Sequence, residues 1–203
     1  MGDDSGGSHA LGSEEELQQL LSYVTPTDTT RGLFLNGVLE VVRQLGDEST
    51  VRRCLEESGE KQFLDLFSYP LGTLLRMSYT GARLLSSDSR DFNEVMRQMG
   101  YLSARNFADS TMGRVMLRLV VGQPRRLLDT LPMAYRMNTT AGECTVRWTG
   151  HTNAVIRFTR DFLPHAYTEG SLQGSFEIAK VPGLTVRARP LARLDTEFEL
   201  SWA

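Results

Sequence analysis

The chain is poor in the residues that most often announce chemistry. Among its 203 residues are only two cysteines, Cys54 and Cys144, and three histidines, His9, His151 and His165. Two distant cysteines without a CxxC pair make neither a disulfide framework nor a zinc knuckle, and a reducing cytoplasm is the default compartment. Lysine is just as scarce: Lys61 and Lys180 are the only ones among 22 basic residues, and neither follows the glycine-rich loop of a phosphate cradle. In Gly170-Ser171-Leu172-Gln173-Gly174 the serine lacks the glycine two residues before it that a hydrolase nucleophile elbow requires. No apolar run reaches the roughly 18 residues of a membrane span. Nothing positive points to an enzyme.

What is present fits one globular domain. The chain is 40% hydrophobic with a formal net charge of -3, so it can bury a core, and it lacks the basic excess of a nucleic-acid binder. Its start, MGDDSGGSHALGS, is acidic and rich in Gly and Ser. That stretch is neither a signal peptide nor a myristoylation site, and residues 1–13 are expected to form a disordered lead-in to a domain covering 14–203. The sequon at Asn138-Thr139-Thr140 carries no weight without an export signal.

From Glu14 to Asn138 the apolar spacing is helical. Ser13 is a fair N-cap for a helix over Glu14–Ser22. Further helices are expected over Leu33–Leu45, from Asp47 towards Gly59, over Leu71–Leu85 behind Pro70, and over Phe92–Ala108, Thr111–Val121 and Pro124–Tyr135. The last 60 or so residues change character. Cys144–Thr149 and Thr152–Arg160 alternate in polarity around Gly150-His151, as do Leu184–Arg189 and Glu197–Trp202, and a helical segment lies between the two pairs. The fold class is therefore α+β: an N-terminal helical layer, then a ββαββ unit forming a four-stranded antiparallel sheet. Val146 and Trp148, with Val155 or Ile156, Val186 and Phe198 or Leu200, should form the sheet face packed on helices.

Five stretches carry a resemblance: RGLFLNGVLEVV (Arg31 to Val42), Tyr69-Pro70, MGRVMLRLV (Met112 to Val120), PRRLLDTLP (Pro124 to Pro132) and RDFLPHAYTEG (Arg160 to Gly170). Together they resemble a myxobacterial paralogous family of unknown function, from about Thr29 to Trp202. That family is distantly similar to the ligand-binding group that includes the 4-vinyl-reductase domain, the TRAPP subunits and the haem-NO-binding domain. The resemblance implies an α+β fold and a dimer, and hands over no activity.

Each candidate site has a plainer reading beside it. Haem needs an axial ligand, usually a histidine in the pocket wall, and no imidazole occurs between Ala10 and Gly150, so no cofactor is expected. Asp161, His165 and Glu169 stand one helical turn apart and could hold a metal or move a proton. More simply, Asp161 complements the helix start and Glu169 pairs with an arginine, which leaves no metal site. Gly170 and Gly174, beside Tyr167 and Phe176, make a small-residue groove for a ligand, or merely allow close packing. Arg114, Arg118, Arg125 and Arg126 could meet an acidic partner or an anionic surface, or lie solvated beside Asp109 and Asp129. No aromatic residues interleave with them, which argues against nucleic acid.

Two further expectations concern apolar surface. The Arg31 to Leu45 helix is apolar on more than one side, so Phe34, Val38 and Val41 are candidates for a homodimer contact, unless the helix is central to its own domain. Close packing predicts a filled core. Any pocket should lie between the ββαββ unit and the preceding helices, lined by Met77, Met96, Met99, Met112, Met116, Phe107 and Leu119, with Tyr167 and Arg114 at its mouth. Arg114, Arg118, Tyr167, Glu169 and Gly170 are thus the binding candidates. The function expected first is a non-enzymatic, dimeric, cytoplasmic scaffold or sensory domain with a possible protein partner. Its alternative is a sensor holding an apolar small molecule, and an enzyme using Asp161, His165 and Glu169 stands third.

Overall fold

The computed structural model describes residues 10–203, the side chains of Thr111 and Met112 excepted. In chain order the elements are α1 (Glu14–Ser22), β1 (Thr29–Arg31), α2 (Gly32–Leu45), α3 (Glu48–Ser58), β2 (Ser68–Pro70), α4 (Leu71–Leu85), α5 (Phe92–Asp109), α6 (Thr111–Val120), α7 (Pro124–Asn138), β3 (Glu143–Trp148), β4 (Asn153–Thr159), α8 (His165–Ile178), β5 (Thr185–Ala192) and β6 (Asp195–Ser201). Among the described residues, local side chains cap four of the eight helix starts. Ser13, Asp47, Asp91 and Ser110 each accept a backbone N–H in the first turn that follows, satisfying a donor the helix cannot. Asp47 also accepts the Ser49 and Thr50 hydroxyls, and these bonds hold its carboxyl down to about 2. Gly59, at φ 72°, closes α3 in the left-handed region that suits glycine.

The helices α1 to α5 wrap a first core. Leu35, Val41, Val42, Leu75, Met77, Met96 and Met99 in it have no exposed surface. This overturns the dimer reading of α2 at two positions. Val38 and Val41 are 2% and 0% exposed, because neighbouring helices of the same domain cover the extra apolar sides of α2. Phe34 is half-buried and faces inward to a cavity described below. A short antiparallel pair, β1 with β2, precedes α2 and α4 and was not expected, since three residues each are too few to show alternation.

The four-stranded antiparallel sheet runs β3-β4-β6-β5. Helix α8 carries the chain from β4 to the far edge, and β6 returns to the middle beside β4. Pairing puts Val146, Ile156, Phe198 and Ala188 in one row across the inner face. The parallel row of Trp148, Ala154, Leu200 and Val186 lies one pleat away. Ile156, not Val155, points inward, and both Phe198 and Leu200 are buried. The outer face carries Arg147, Arg157, Arg187, Arg189, Glu197 and Glu199, with Arg189 paired to Glu197 across the β5–β6 hairpin. β5 and β6 run three and two residues further into their turn than polarity alone suggests, because edge strand β5 tolerates Pro190. Leu172, Phe176, Val181, Trp202 and the inner sheet face make the second core.

Helix α8 crosses α5 at backbone contact. A Cβ on Gly170 would lie 1.8 Å from the Arg97 carbonyl oxygen, and one on Gly100 would lie 1.9 Å from that of Tyr167. Gly170 is therefore consumed by helix packing and is corrected as a ligand-binding candidate. The partner of its groove is α5, where tight packing was expected against the sheet. Two arginines tie distant segments of the chain together. Arg83 donates to the carbonyls of Gly12 and Ser13 and to Glu14, so the end of the expected lead-in is anchored; residues 1–9, with His9, lie outside the described residues. Arg160 reaches buried Asp28 at 2.9 Å. Among the described residues no helix is long and apolar enough to cross a membrane.

Candidate ligand cavity

A cavity of about 330 Å³ lies where the two cores fail to meet. Helices α2 and α4 wall it with Phe34, Leu74 and Leu75, α6 with Met116 and Leu117, and α7 with Leu131 and Tyr135. Phe158 from β4, Phe162 beyond it, and Tyr167 and Leu172 from α8 complete the lining. Apart from Phe107, which is 38% exposed and marks the rim, every lining residue is buried or half-buried. Its size is at the lower end of the roughly 300–1,000 Å³ typical of small-molecule pockets.

The location agrees with the sequence expectation; the lining agrees in part. Phe107, Met116 and Tyr167 line the cavity. Met77, Met96 and Met99 are instead sealed in the first core, and Leu119 is exposed on α6. The Met112 side chain lies outside the described residues. Arg114 is exposed on α6 and absent from the lining, because α6 turns its apolar face inward and its arginines out. Arg118 is exposed likewise. Arg125 stacks over the Trp148 ring at 4.7 Å, and Asp129 accepts the indole N–H of Trp148 at 3.0 Å. That carboxylate was expected to serve an arginine; the half-buried tryptophan takes it because the indole has a donor to satisfy.

The polar groups reaching the cavity are few. Asp161 stands just before α8, where its carboxylate accepts the Leu163 and Phe162 backbone N–H groups and takes the Thr168 hydroxyl at 3.5 Å. Burial raises this carboxyl to about 6 despite those bonds. Burial also raises the hydroxyls of Tyr135 and Tyr167, with the Asp161 charge adding to the effect, so both stay neutral donors. Glu169 points elsewhere and pairs with Arg97 at 2.7 Å, across the α5–α8 crossing. The candidate trio of Asp161, His165 and Glu169 is thereby split, and among the described residues no group of three ligating side chains could hold a metal. Among the described residues no histidine, cysteine, lysine or arginine lines the cavity. Cys54 and Cys144 are buried thiols raised to about 11 and about 12 by desolvation, which makes them poor nucleophiles.

A family model described as "Protein of unknown function (DUF2378)" matches residues 23–203. This chain belongs to the DUF2378 family. No curated protein matches it. Among solved structures, the DUF2378 chain is similar to the Fe(II) unliganded H-NOX protein from K. algicida, with a TM-score of 0.66 and 10% identity over 85% of this chain and 96% of that one. An oxygen-binding H-NOX domain related to soluble guanylate cyclases gives 0.63 and 13%, over 84% and 92%. A variant of Tt H-NOX gives 0.64 and 12%, over 85% and 94%. At such identities the likeness establishes the fold: the DUF2378 chain is H-NOX-like, with helices followed by hairpin, helix and hairpin.

Proposed function

We propose that this DUF2378 domain is a non-catalytic sensor that binds an apolar or mixed small molecule between its helices and its sheet. One observation carries the reading. Protein interiors are normally filled to crystal-like density, yet here a lining of Leu, Phe, Met and Tyr surrounds open space. A cavity so apolar gains by excluding water and taking up an apolar body. The H-NOX neighbours support the reading, since one of them is an oxygen complex.

Haem does not suit this site. An iron porphyrin needs an axial ligand; among the described residues the lining has no His or Cys, and its Tyr135 and Tyr167 hydroxyls, raised by burial, stay protonated, which leaves only the weak Met116 thioether. His151 sits in the β3–β4 turn and His165 opens α8 without reaching the cavity. The lining also has no cation to meet propionates.

Native mass spectrometry of freshly purified protein, paired with thermal melting in a panel of aliphatic and aromatic compounds, tests the sensor. A co-purifying mass, or a melting temperature that climbs with ligand concentration by mass action, supports it. Ala134→Phe, placed on the α7 wall, should abolish the climb. A wild type that carries nothing and responds to no compound would sink the proposal.

The scaffold reading has a different support. With Val38 and Val41 buried, the most exposed large apolar side chains among the described residues are Leu66 and Phe67 in the loop before β2, at 83% and 62%. Sedimentation of the wild type and of Phe67→Glu tests it: a dimer that the substitution dissociates supports the contact. A monomeric wild type at micromolar concentration removes it.

A further inference from the structure

Among the described residues Asp161, half-buried, is the one charged residue on the cavity wall. A buried carboxylate is costly unless a cation or a full set of donors meets it. Its donors are the Leu163 and Phe162 backbone N–H groups and the Thr168 hydroxyl, which at 3.5 Å is a long contact. Among the described residues no cation lies within ion-pair reach of it. Arg160, its neighbour in sequence, turns away to Asp28 at 2.9 Å and stacks on Phe162. The other titratable groups around it are Tyr135 on α7, Tyr167 on α8 and Cys144 on β3, all neutral, while Arg136 on α7 is exposed. Asp161 thus presents an uncompensated negative charge to an apolar space. The complement is a small body, apolar along its length and cationic at one end.

We propose that the cavity takes an amphiphilic amine, its ammonium group on the Asp161 carboxylate and its apolar part among the Phe, Leu and Met side chains. This rests on the sensor reading above and names the ligand class for it. The Tyr135 and Tyr167 hydroxyls offer further oxygen atoms on the same wall. An anionic amphiphile of equal length is rejected, since it sets two carboxylates together without a cation. A neutral alcohol gains the apolar contacts alone.

Titration calorimetry with octylamine, octanol and octanoate at pH 7.5 separates these cases, because the three share one apolar chain. Octylamine should bind at least tenfold more tightly than octanol, and octanoate more weakly than either. Asp161→Asn should remove the preference for the amine and leave octanol binding unchanged. In the wild type, moving to pH 5 protonates a carboxyl raised to about 6 and should weaken octylamine by about tenfold, while octanol is unaffected. The wild-type series and its pH dependence stand even if the variant fails to fold. Equal binding of all three compounds overturns the amine assignment and leaves the sensor intact. Binding of none overturns both.

Discussion

The two cores are built from the same kinds of residue and end in different states. Around α2 and α4, Leu35, Val42, Met77 and Met99 are closed off completely. Around α6, α7 and the sheet, Leu117, Leu131 and Tyr135 remain half-buried because they face open space. Composition does not separate these regions; geometry does. Where glycine lets α8 touch α5, backbones approach until side chains interlock. Where α6 and α7 bridge from that helical body to the sheet, the span exceeds what their side chains fill. An apolar residue count therefore predicts burial and leaves open whether the buried space is occupied.

The contrast can be broken most forcefully at the crossing. Gly170→Leu, which would drive a side chain into the Arg97 carbonyl, should cost more than about 4 kcal/mol or abolish cooperative urea unfolding. An intact fold with normal stability would show that α5 and α8 can separate freely. Next comes Met99→Ala in the closed core, expected to lose about 3 kcal/mol by transfer and cavity terms. Leu131→Ala on the cavity wall should cost less than about 2 kcal/mol, because that side chain already lacks partners on one side. Equal losses at Met99 and Leu131 would mean that the cavity is closed in solution.

A pH series sharpens the same comparison. The Asp161 carboxyl is raised to about 6 in the folded state from an ordinary value of 3.8, so the folded protein holds its proton longer than the unfolded chain. The charge therefore costs nothing below about pH 3.8, and its full cost is present above about pH 6. Asp161→Asn should match the wild type near pH 4 and gain up to roughly 3 kcal/mol by pH 7.5 in urea midpoints. A gap that does not grow with pH would show that the cavity is wet enough to solvate the charge. A more local effect is at Trp148. Its replacement by Ala should cost about 2 kcal/mol, from loss of its Asp129 bond, the Arg125 stack and the edge contact with Trp202. A loss under about 0.5 kcal/mol would make it a free surface residue.

Much of this architecture was legible in the chain. Helix starts at Ser13 and Asp47 follow from side chains that accept local N–H groups, and the hairpins from alternation around short turns. The candidate site was less legible. Its location followed from element order, but Met77, Met96 and Met99 share helices with cavity-lining residues and differ from them only in which way they face. Asp161 was visible in the sequence as a helix-start acid, and nothing local marked it as lacking a cation. Arg160, its basic neighbour, turns away through the left-handed region at φ 49°, and no local pattern foretells that turn. Arg160 finds Asp28, 132 positions away.

What the sequence determined alone is what depends on neighbours within a few residues: helix caps, turn positions and strand alternation. Tertiary structure alone decided which apolar surfaces meet. It buried Val38 and Val41 inside one domain, pressed Gly170 onto α5, and left a space in front of Asp161. The reason is physical. Hydrogen bonds of caps and turns close over one helical turn and are specified by local side chains, whereas burial is non-directional and is settled only when distant elements compete for the same apolar face.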